Sequence, residues 1–401
     1  MIRVQLEKAI SLMLDSVNSI DEIEKIDLLE ANGRVLAEDI YAPINNPPFN
    51  KSPLDGYALI ASDTKGATKE NPVKLKVIDE VFAGGFSTKE VHHGEAVRIM
   101  TGAKIPEGAN CILMQELTDE GMDTVEIYKE LSDYDNFCFE GEDIEKGTLL
   151  MKKGEVLSCI HQGVISSMGI DKVLVKKIPN IALFVTGDEV SKSGTPLLEG
   201  KIYDSNRQLM YSRLSELGIK PKYVDVLGDD PKVVADKINE VIDKVDFVLT
   251  TGGVSVGKKD IFHEVVTKTQ ANRLFWKVDL MPGTPAMFYI LNNKPVLSLS
   301  GNPFAALTTF ELLGRPVLAK LTGNENIETR RVEATLMNDF NKKSKTRRFI
   351  RGKYSEGTIT LTSNKHASGM LASMIGCNAL IDIEAGSEGL HKGDKVNVVL
   401  L

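Results

Sequence analysis

Residues 246–260 read DFVLTTGGVSVGKKD. The apolar run Phe247-Val248-Leu249 has the unbroken character of a strand buried on both faces. It breaks at Gly252-Gly253, passes Ser255 and Gly257, and reaches a carboxylate at Asp260. IFHEVVTKT follows with helical spacing. Strand, glycine turn and helix start together make a cradle of backbone N–H donors for anionic groups. The competing reading is an ordinary strand-to-helix connection that happens to be rich in glycine. Three further strand ends in the same region tip the balance, because each carries a polar, glycine-bearing turn. The spacing from Gly252 to Lys258 also matches the GxxxxGK of a nucleotide-binding P-loop, but Lys259 stands where a Ser or Thr should hold magnesium. That motif is a minor alternative.

Outward from this stretch, strands and helices alternate. IALFVTGDEV reads as a strand and SNRQLMYSRLSELG as a helix, with Leu209, Arg213 and Leu217 at helical spacing. KYVDVLGDD is a strand, and a helix opens at Pro231, a residue suited to a first turn. WKVDL and PVLSLSGNP continue as strands before the helix FAALTTFELL. Alternation of this kind means a parallel sheet covered by helices. The polar turns TGDE, GDDP, TGGVSVGKKD and SGNP all follow their strands. They should therefore line one crevice beyond the carboxyl ends of the sheet. Asp188, Glu189, Asp229, Asp230 and Asp260 would meet there with Asn302 and several glycines. So many carboxylates beside a phosphate cradle repel one another unless a hard cation lies between them, and magnesium is the economical choice. Asp230, just before Pro231, fits a helix N-cap. Glu189, Asp229 and Asp260 are accordingly the favoured metal ligands.

The flanks differ in character. Leu6, Ile10, Met13, Leu14 and Val17 share one face of an N-terminal helix, which reads as packing surface. An amphipathic segment, IDLLEANGRVLAEDIYA, then leads into PINNPPFNKSPLDGYAL, whose prolines at 43, 47 and 48 favour an extended crossing segment. VKLKVIDEV, EAVRIMTGA, NCILMQEL and TVEIYKE read as short strands of an inserted β domain. GEDI at 141–144 returns the chain to the first domain, KGTLLMKKGEVL reads as a hairpin-like pair and SCIHQGVISSMGI as a short helix. Beyond Gly323 only strands remain: RRVEATL, RRFIRGKY, TITLT, ALIDIE and KVNVVLL, a small barrel-like domain. The expected fold is multidomain α/β plus β. An N-terminal domain covers 1–45 and 141–176, an inserted β domain 46–140, a three-layer α/β domain 177–323 and a C-terminal β domain 324–401.

The 401 residues carry 48 Lys and Arg against 56 Asp and Glu, a net charge of −8. That acidic balance argues against nucleic acid as the main partner. Cys111, Cys138, Cys159 and Cys377 are far apart and form no CxxC pair, which suits a reducing cytosol better than a disulfide framework or a zinc ribbon. The start MIRVQLEKAISLMLDSV is interrupted by Glu7, Lys8 and Asp15 and is no signal peptide. No apolar run approaches a membrane span, so a cytoplasmic location is expected. The histidines, at 92, 93, 161, 263, 366 and 391, are scattered without ligand spacing and read as structural or solvated. The run Lys342, Lys343, Lys345, Arg347, Arg348, Arg351 is by default a solvated charge cluster. Arg351, set in a strand pattern between Ile350 and Gly352, is the member best placed for a bound anion.

Taken together, GRVLAEDI, PPFNKSPLDGYA, RIMTGAKIP, GEDI, TGDE, IYDSNR, DDP, TGGVSVGKKD, FWK, PG-x-P and GNP resemble the molybdopterin molybdenumtransferases, or molybdenum insertases, a family that includes the gephyrin E domain. The resemblance covers essentially the whole chain in the expected order, and the combination is highly specific where any one piece is weak. It implies an elongated N-terminal domain, an inserted β domain, a molybdopterin-binding α/β domain and a C-terminal β domain, usually in a homodimer with the site between subunits. The implied substrates are adenylylated molybdopterin and molybdate, with magnesium; the implied products are molybdenum cofactor and AMP.

By resemblance, Asp55 of SPLDGYA and Thr101 of RIMTGA reach the site from a partner subunit. Asp143, Glu189, Asp229 and Asp260 form the acidic set, Lys277 of FWK neutralises developing charge, and Arg351 helps hold an oxyanion. Gly252, Gly253, Ser255, Gly257, Pro282, Gly283 and Asn302 complete the cofactor-binding positions. Breaking a phosphoanhydride needs charge neutralisation and positioning more than a strong base, which agrees with that set.

Three departures bear on the oxyanion. Where the family commonly has KPGKP this chain has MPGTP, so Met281 and Thr284 replace lysines. GNPVS becomes GNPFA, with Ala305 at a usual serine, while SAMDGYA becomes SPLDGYA and keeps its aspartate. A charge-assisted hydrogen bond is worth roughly 1.5–3 kcal/mol, so losing a cation and a hydroxyl weakens molybdate binding unless another group compensates. The alternatives are a paralogue that takes another oxyanion such as tungstate, or a non-catalytic molybdopterin-binding or scaffold protein. The retained acidic set favours the enzyme.

Overall fold

The computed structural model describes residues 3–254, 261–363 and 367–401. The chain groups into two compact units, one of Met1–Glu24, Gly33–Val35 and Leu174–Leu401, the other of Lys25–Asn32 and Leu36–Val173.

The first unit is built on a six-stranded sheet in the order Tyr223–Leu227, Ile181–Thr186, Phe247–Thr251, Lys294–Leu299, Ala286–Leu291, Asn272–Trp276. The first four strands are parallel, as the alternating pattern implies. The last two extend the sheet antiparallel at one edge. The hairpin there turns on Asn292 and Asn293, whose φ values of 48° and 61° match the tight turns that asparagine tolerates. The sequence reading overlooks Ala286–Leu291, although AMFYIL is bracketed by Pro282-Gly283-Thr284-Pro285 and these asparagines. It also places WKVDL as a strand; the strand is Asn272–Trp276 and stops where Lys277 takes a φ of 79°.

Side chains alternate between two cores. Ile181, Leu183, Phe247 and Leu249 face one, shared with Met210, Leu214, Phe304 and Phe310. Ala182, Phe184 and Val248 face the other, shared with Val234, Ile238, Phe262 and Val265. Helices on both faces make three layers. The N-terminal helix Leu6–Asp15 buries Leu6, Ala9 and Met13 in the first of these cores.

On helix Asn206–Glu216 the buried line is Asn206, Met210 and Leu214, not Leu209, Arg213 and Leu217. Arg213 instead turns to Glu311, a fully buried carboxylate (0% exposed) in the π-turn Phe310–Gly314. The Glu311 oxygens lie 2.7 and 3.1 Å from Arg213 and 2.8 Å from Arg315.

All five expected C-terminal strands form. Arg331–Leu336, Arg347–Ser355, Thr358–Leu361, Ala379–Ile383 and Lys395–Leu400 close into a barrel, because Arg347–Ser355 pairs with both Thr358–Leu361 and Ala379–Ile383. Ile350, Ile381 and Val398 fill its interior, while Phe349, Leu380 and Val399 pack into the α/β core. A short strand from the α/β region, Leu280–Met281, adds to it in parallel, with Leu280 opposite Arg347 and Met281 opposite Arg348.

The second unit contains a five-stranded sheet ordered Cys111–Met114, Gly56–Leu59, Glu95–Ile99, Val73–Val81, Thr124–Ile127. Four strands match the sequence reading. Gly56–Leu59 lies inside the stretch read as an extended crossing segment, and its fully buried side chains explain its place between two partners. In the segment IDLLEANGRV, Ile26 and Asp27 end the strand Ile23–Asp27, and a 3-10 turn follows at Leu28–Glu30. KGTLLMKKGEVL is not a hairpin: Leu149–Met151 pairs with Ile40–Tyr41, and the backbone at 154–155 bonds to Leu36. Both arms thus bond to the backbone of segment 36–41 instead of to each other. The helix Cys159–Ser167 is capped by Ser158 and His161, a structural role for that histidine. No helix among the described residues is long and apolar enough to cross a membrane.

Candidate active site

Because four neighbouring strands run parallel, their carboxyl ends open on one edge. Gly187-Asp188-Glu189, Gly228-Asp229, Gly252-Gly253 and Ser300-Gly301-Asn302 follow there in turn. All of these but Asp188 and Gly228 line a cleft of about 680 Å³, together with Asp204 and Asn206. Gly252 has a φ of 97°, and a Cβ on it would lie 2.2 Å from the Thr186 carbonyl oxygen. Only glycine lets the second strand end pass so close to the first. The Gly252 N–H donates to the Leu299 carbonyl (3.0 Å), which ties the turn to the next strand. At Gly187 a Cβ would come within 3.0 Å of both Glu189 carboxylate oxygens, so the missing side chain leaves room for that carboxylate.

Asp188 and Asp229 brace each other: the Asp188 N–H donates to Asp229 Oδ2 (3.2 Å) and the Asp229 N–H to Asp188 Oδ1 (3.0 Å). Asp230 caps helix Pro231–Val241 by accepting from the backbone of Lys232 and Val233. Three residues of IYDSNR gain places that sequence reading left unassigned. Asp204 is buried and pairs with Arg207 at 3.0 Å, and Asn206 Nδ2 donates to the Gly301 carbonyl at 2.7 Å. Their signal was a polar run, Asp204 to Arg207, across the start of a helix. Ser255, Gly257 and Asp260, with Lys258 and Lys259 of the P-loop alternative, lie outside the described residues. Among the described residues no three His, Cys, Asp or Glu side chains group tightly enough to hold a metal ion.

A second cavity, of about 370 Å³, adjoins the first at Ser300 and Asn302. Met281, Pro282, Gly283, Thr284, Ala305, Arg348 and Ser368 line it. Gly283 (φ 100°) lies where a Cβ would strike Thr309 Cγ2 at 2.3 Å, which seats the PG turn on the following helix. The Thr284 hydroxyl donates to the Leu280 carbonyl at 2.5 Å. Arg348, assigned by sequence to a solvated cluster, is half-buried here. Arg351 is not among the residues of this wall. It is 1% exposed, its guanidinium carbon lies 3.8 Å from the Phe304 ring centroid, and it donates to the Ala367 carbonyl at 2.8 Å. Burial holds its guanidinium below its ordinary pKa.

Lys277 stacks its ammonium 4.1 Å from the Trp276 ring centroid, and the Trp276 indole donates to the Val254 carbonyl at the edge of the glycine turn. In the second unit Asp55 and Thr101 come together. Asp55 Oδ1 accepts from the Thr101 hydroxyl (2.6 Å) and N–H (2.7 Å), and these bonds hold its carboxyl below the ordinary carboxylate range. The next residue, Gly56, lets its strand lie close against Cys111–Met114, since a Cβ there would meet the Leu113 carbonyl oxygen at 1.9 Å. Asp143 accepts from Asn46 Nδ2 at 2.8 Å beside Lys51 and Cys138.

Comparison with known proteins agrees with these features. Residues 4–169 match the MoeA N-terminal region (domain I and II), 182–320 a probable molybdopterin binding domain and 333–401 the MoeA C-terminal region (domain IV). The molybdopterin molybdenumtransferase of Staphylococcus aureus (strain COL) is 35% identical over 400 residues, covering 99% of this chain and 95% of the relative. The chain belongs to the molybdopterin molybdenumtransferase family. A molybdopterin molybdenumtransferase of Staphylococcus epidermidis is 36% identical over 378 residues, 94% of this chain and 90% of that one. The crystal structure of the molybdopterin biosynthesis moeA protein from Pyrococcus horikoshii OT3 superposes with a TM-score of 0.82 at 33% identity, covering 99% of this chain and all of that one. The molybdopterin molybdenumtransferase fold and enzyme class thus apply to the whole chain.

Proposed function

We propose that the chain inserts molybdenum from molybdate into adenylylated molybdopterin and releases AMP, with magnesium as cofactor. The supporting observation is the pair of adjoining cavities. One is walled by strand-end glycines and the carboxylates Glu189, Asp204 and Asp229; the other is walled by Arg348 and by no carboxylate among the described residues. The first suits a phosphoanhydride with a hard cation, the second a free oxyanion, and Ser300 and Asn302 stand between them.

An all-oxygen donor set of carboxylates and hydroxyls fits magnesium. Glu189 and Asp229, with Asp260, would hold it, and it would neutralise charge on the bridging phosphates. The residues of the chain do the rest. Backbone N–H groups of the glycine turn orient the pterin phosphate, and the bracing of Asp188 and Asp229 keeps the acidic wall in place. Water cleaves the P–O bond of the anhydride; AMP leaves and the pterin keeps its own phosphate. Lys277 neutralises charge developing on the phosphates. Asp143 belongs with the acidic set, and Asp55 and Thr101 complete the site from a partner subunit in a homodimer.

The test is AMP release from adenylylated molybdopterin with magnesium and either molybdate or tungstate, with Asp260→Asn and Asp229→Asn as controls. Oxyanion-dependent release that both variants lose supports the insertase. Tight pterin binding without release would replace it with a binding protein. The altered MPGTP stretch favours including tungstate, since Met281 and Thr284 stand where lysines are usual.

A further inference from the structure

We infer that Arg348 supplies the cation of the second cavity, standing in from the adjacent strand for the side chain that Met281 lacks. This rests on the proposed reading of that cavity as the oxyanion pocket. Met281 and Arg348 face each other in the parallel pairing of Leu280–Met281 with Arg347–Ser355. One position of the sheet therefore presents two side chains to one cavity, and a charge placed on either reaches the same space.

The surroundings leave this guanidinium without a counter-charge. One terminal nitrogen, Nη2, lies 3.3 Å from the Met281 sulfur, a weak acceptor that carries no charge. Nε is buried and has no hydrogen-bond partner among the described residues. The adjacent Arg347 shows the contrast: its guanidinium makes bonds of 2.8 and 2.6 Å to the two oxygens of Asp382. Arg348 makes no ion pair of that kind among the described residues, and no carboxylate there lines its cavity. Its guanidinium carbon also lies 5.9 Å from the Phe340 ring centroid, a contact that carries no formal charge. A half-buried cation without a counter-charge is costly, and a dianion entering the cavity relieves that cost. The Thr284 hydroxyl, committed to the Leu280 carbonyl, does not replace a lysine. The planar fork of arginine can grip two oxygens of a tetrahedral oxyanion at once, which an ammonium cannot.

The experiment measures half-saturation for molybdate and for adenylylated molybdopterin in AMP release, together with calorimetric titration of molybdate into the pterin-free protein. Arg348→Ala should raise the molybdate half-saturation roughly ten- to a hundred-fold, the loss expected of one charge-assisted hydrogen-bonded contact, and weaken calorimetric binding in parallel. Its half-saturation for the pterin should stay near that of the parent. Arg348→Lys should fall between, and Met281→Lys added to Arg348→Ala should restore much of the molybdate affinity. If molybdate-dependent release persists in Arg348→Ala with unchanged half-saturation, the inference falls and the insertase reading stands. Equal loss of molybdate and pterin affinity also overturns it, in favour of a structural role. If the parent protein shows no oxyanion-dependent release, the insertase reading falls and the inference with it.

Discussion

Asp188 and Asp229, on turns after neighbouring parallel strands, each accept the other's backbone N–H in a reciprocal pair of bonds of 3.0 and 3.2 Å. The acidic wall of the cleft is therefore built in part by its own backbone. Asp229 also lines the cleft beside Glu189, whereas Asp188 serves mainly as its brace. Asp188→Asn keeps an oxygen that accepts the Asp229 N–H and should preserve a magnesium-dependent rise in melting temperature. Asp229→Asn should abolish that rise. Thermal melts with and without magnesium decide it, and equal loss in both variants would reject the division of roles.

The Asp55–Thr101 pair gives a pH-dependent expectation. The Thr101 hydroxyl, then its N–H, hold the Asp55 carboxyl below its ordinary 3.8. A depressed carboxyl stabilises the fold above the unfolded value and loses that contribution as pH falls through the lower folded value. Thr101→Val removes the hydroxyl donor and keeps the N–H. Carbon-detected titration of Asp55 should then move up toward 3.8 without passing it. An unmoved titration would show that the N–H alone sets the value.

Glu311 is fully buried between Arg213 and Arg315. Glu311→Ala would strand two guanidinium groups and should cost about 3–5 kcal/mol in denaturant unfolding of the full chain. Replacing all three by apolar residues of similar volume should recover most of that, because the desolvation of the charges disappears with them. A single variant losing under about 1 kcal/mol would contradict the burial argument.

Gly252→Ala tests the strand-end turn. The left-handed φ and the contact with the Thr186 carbonyl oppose any side chain, so a loss of at least about 2 kcal/mol is expected. AMP release should fall more steeply than stability, measured below the unfolding transition. Parent-like release at full folding would show that the turn tolerates movement without cost to chemistry.

Much of this arrangement could be read in the residues. Phe247-Val248-Leu249 announced a doubly buried strand, and the glycines after it announced a close backbone passage. Asp230 before Pro231 declared its cap. What escaped depended on distant partners. Gly56–Leu59 is only four residues long and owes its burial to strands about 40 and 55 positions away. Arg348 and Arg351 illustrate the same limit. Alternation along one strand separates their faces, and only the tertiary neighbours show that Arg348 meets a cavity while Arg351 covers the Phe304 ring. Charge in a run of basic residues does not reveal which member is desolvated.

The pairing of Met281 with Arg348 joins positions 67 residues apart. A ribosome delivers the chain from its N-terminus, so the α/β sheet and its glycine turns can close before the barrel strands have emerged. The acidic cleft therefore has all its described walls except Gly369 and Leu371 while the neighbouring cavity still lacks Arg348. On the proposed reading, the carboxylates of the phosphate cleft are in the chain well before the cation of the oxyanion pocket. Of the two cavities, only the first has its described charged walls in place in the chain before the C-terminal barrel is made.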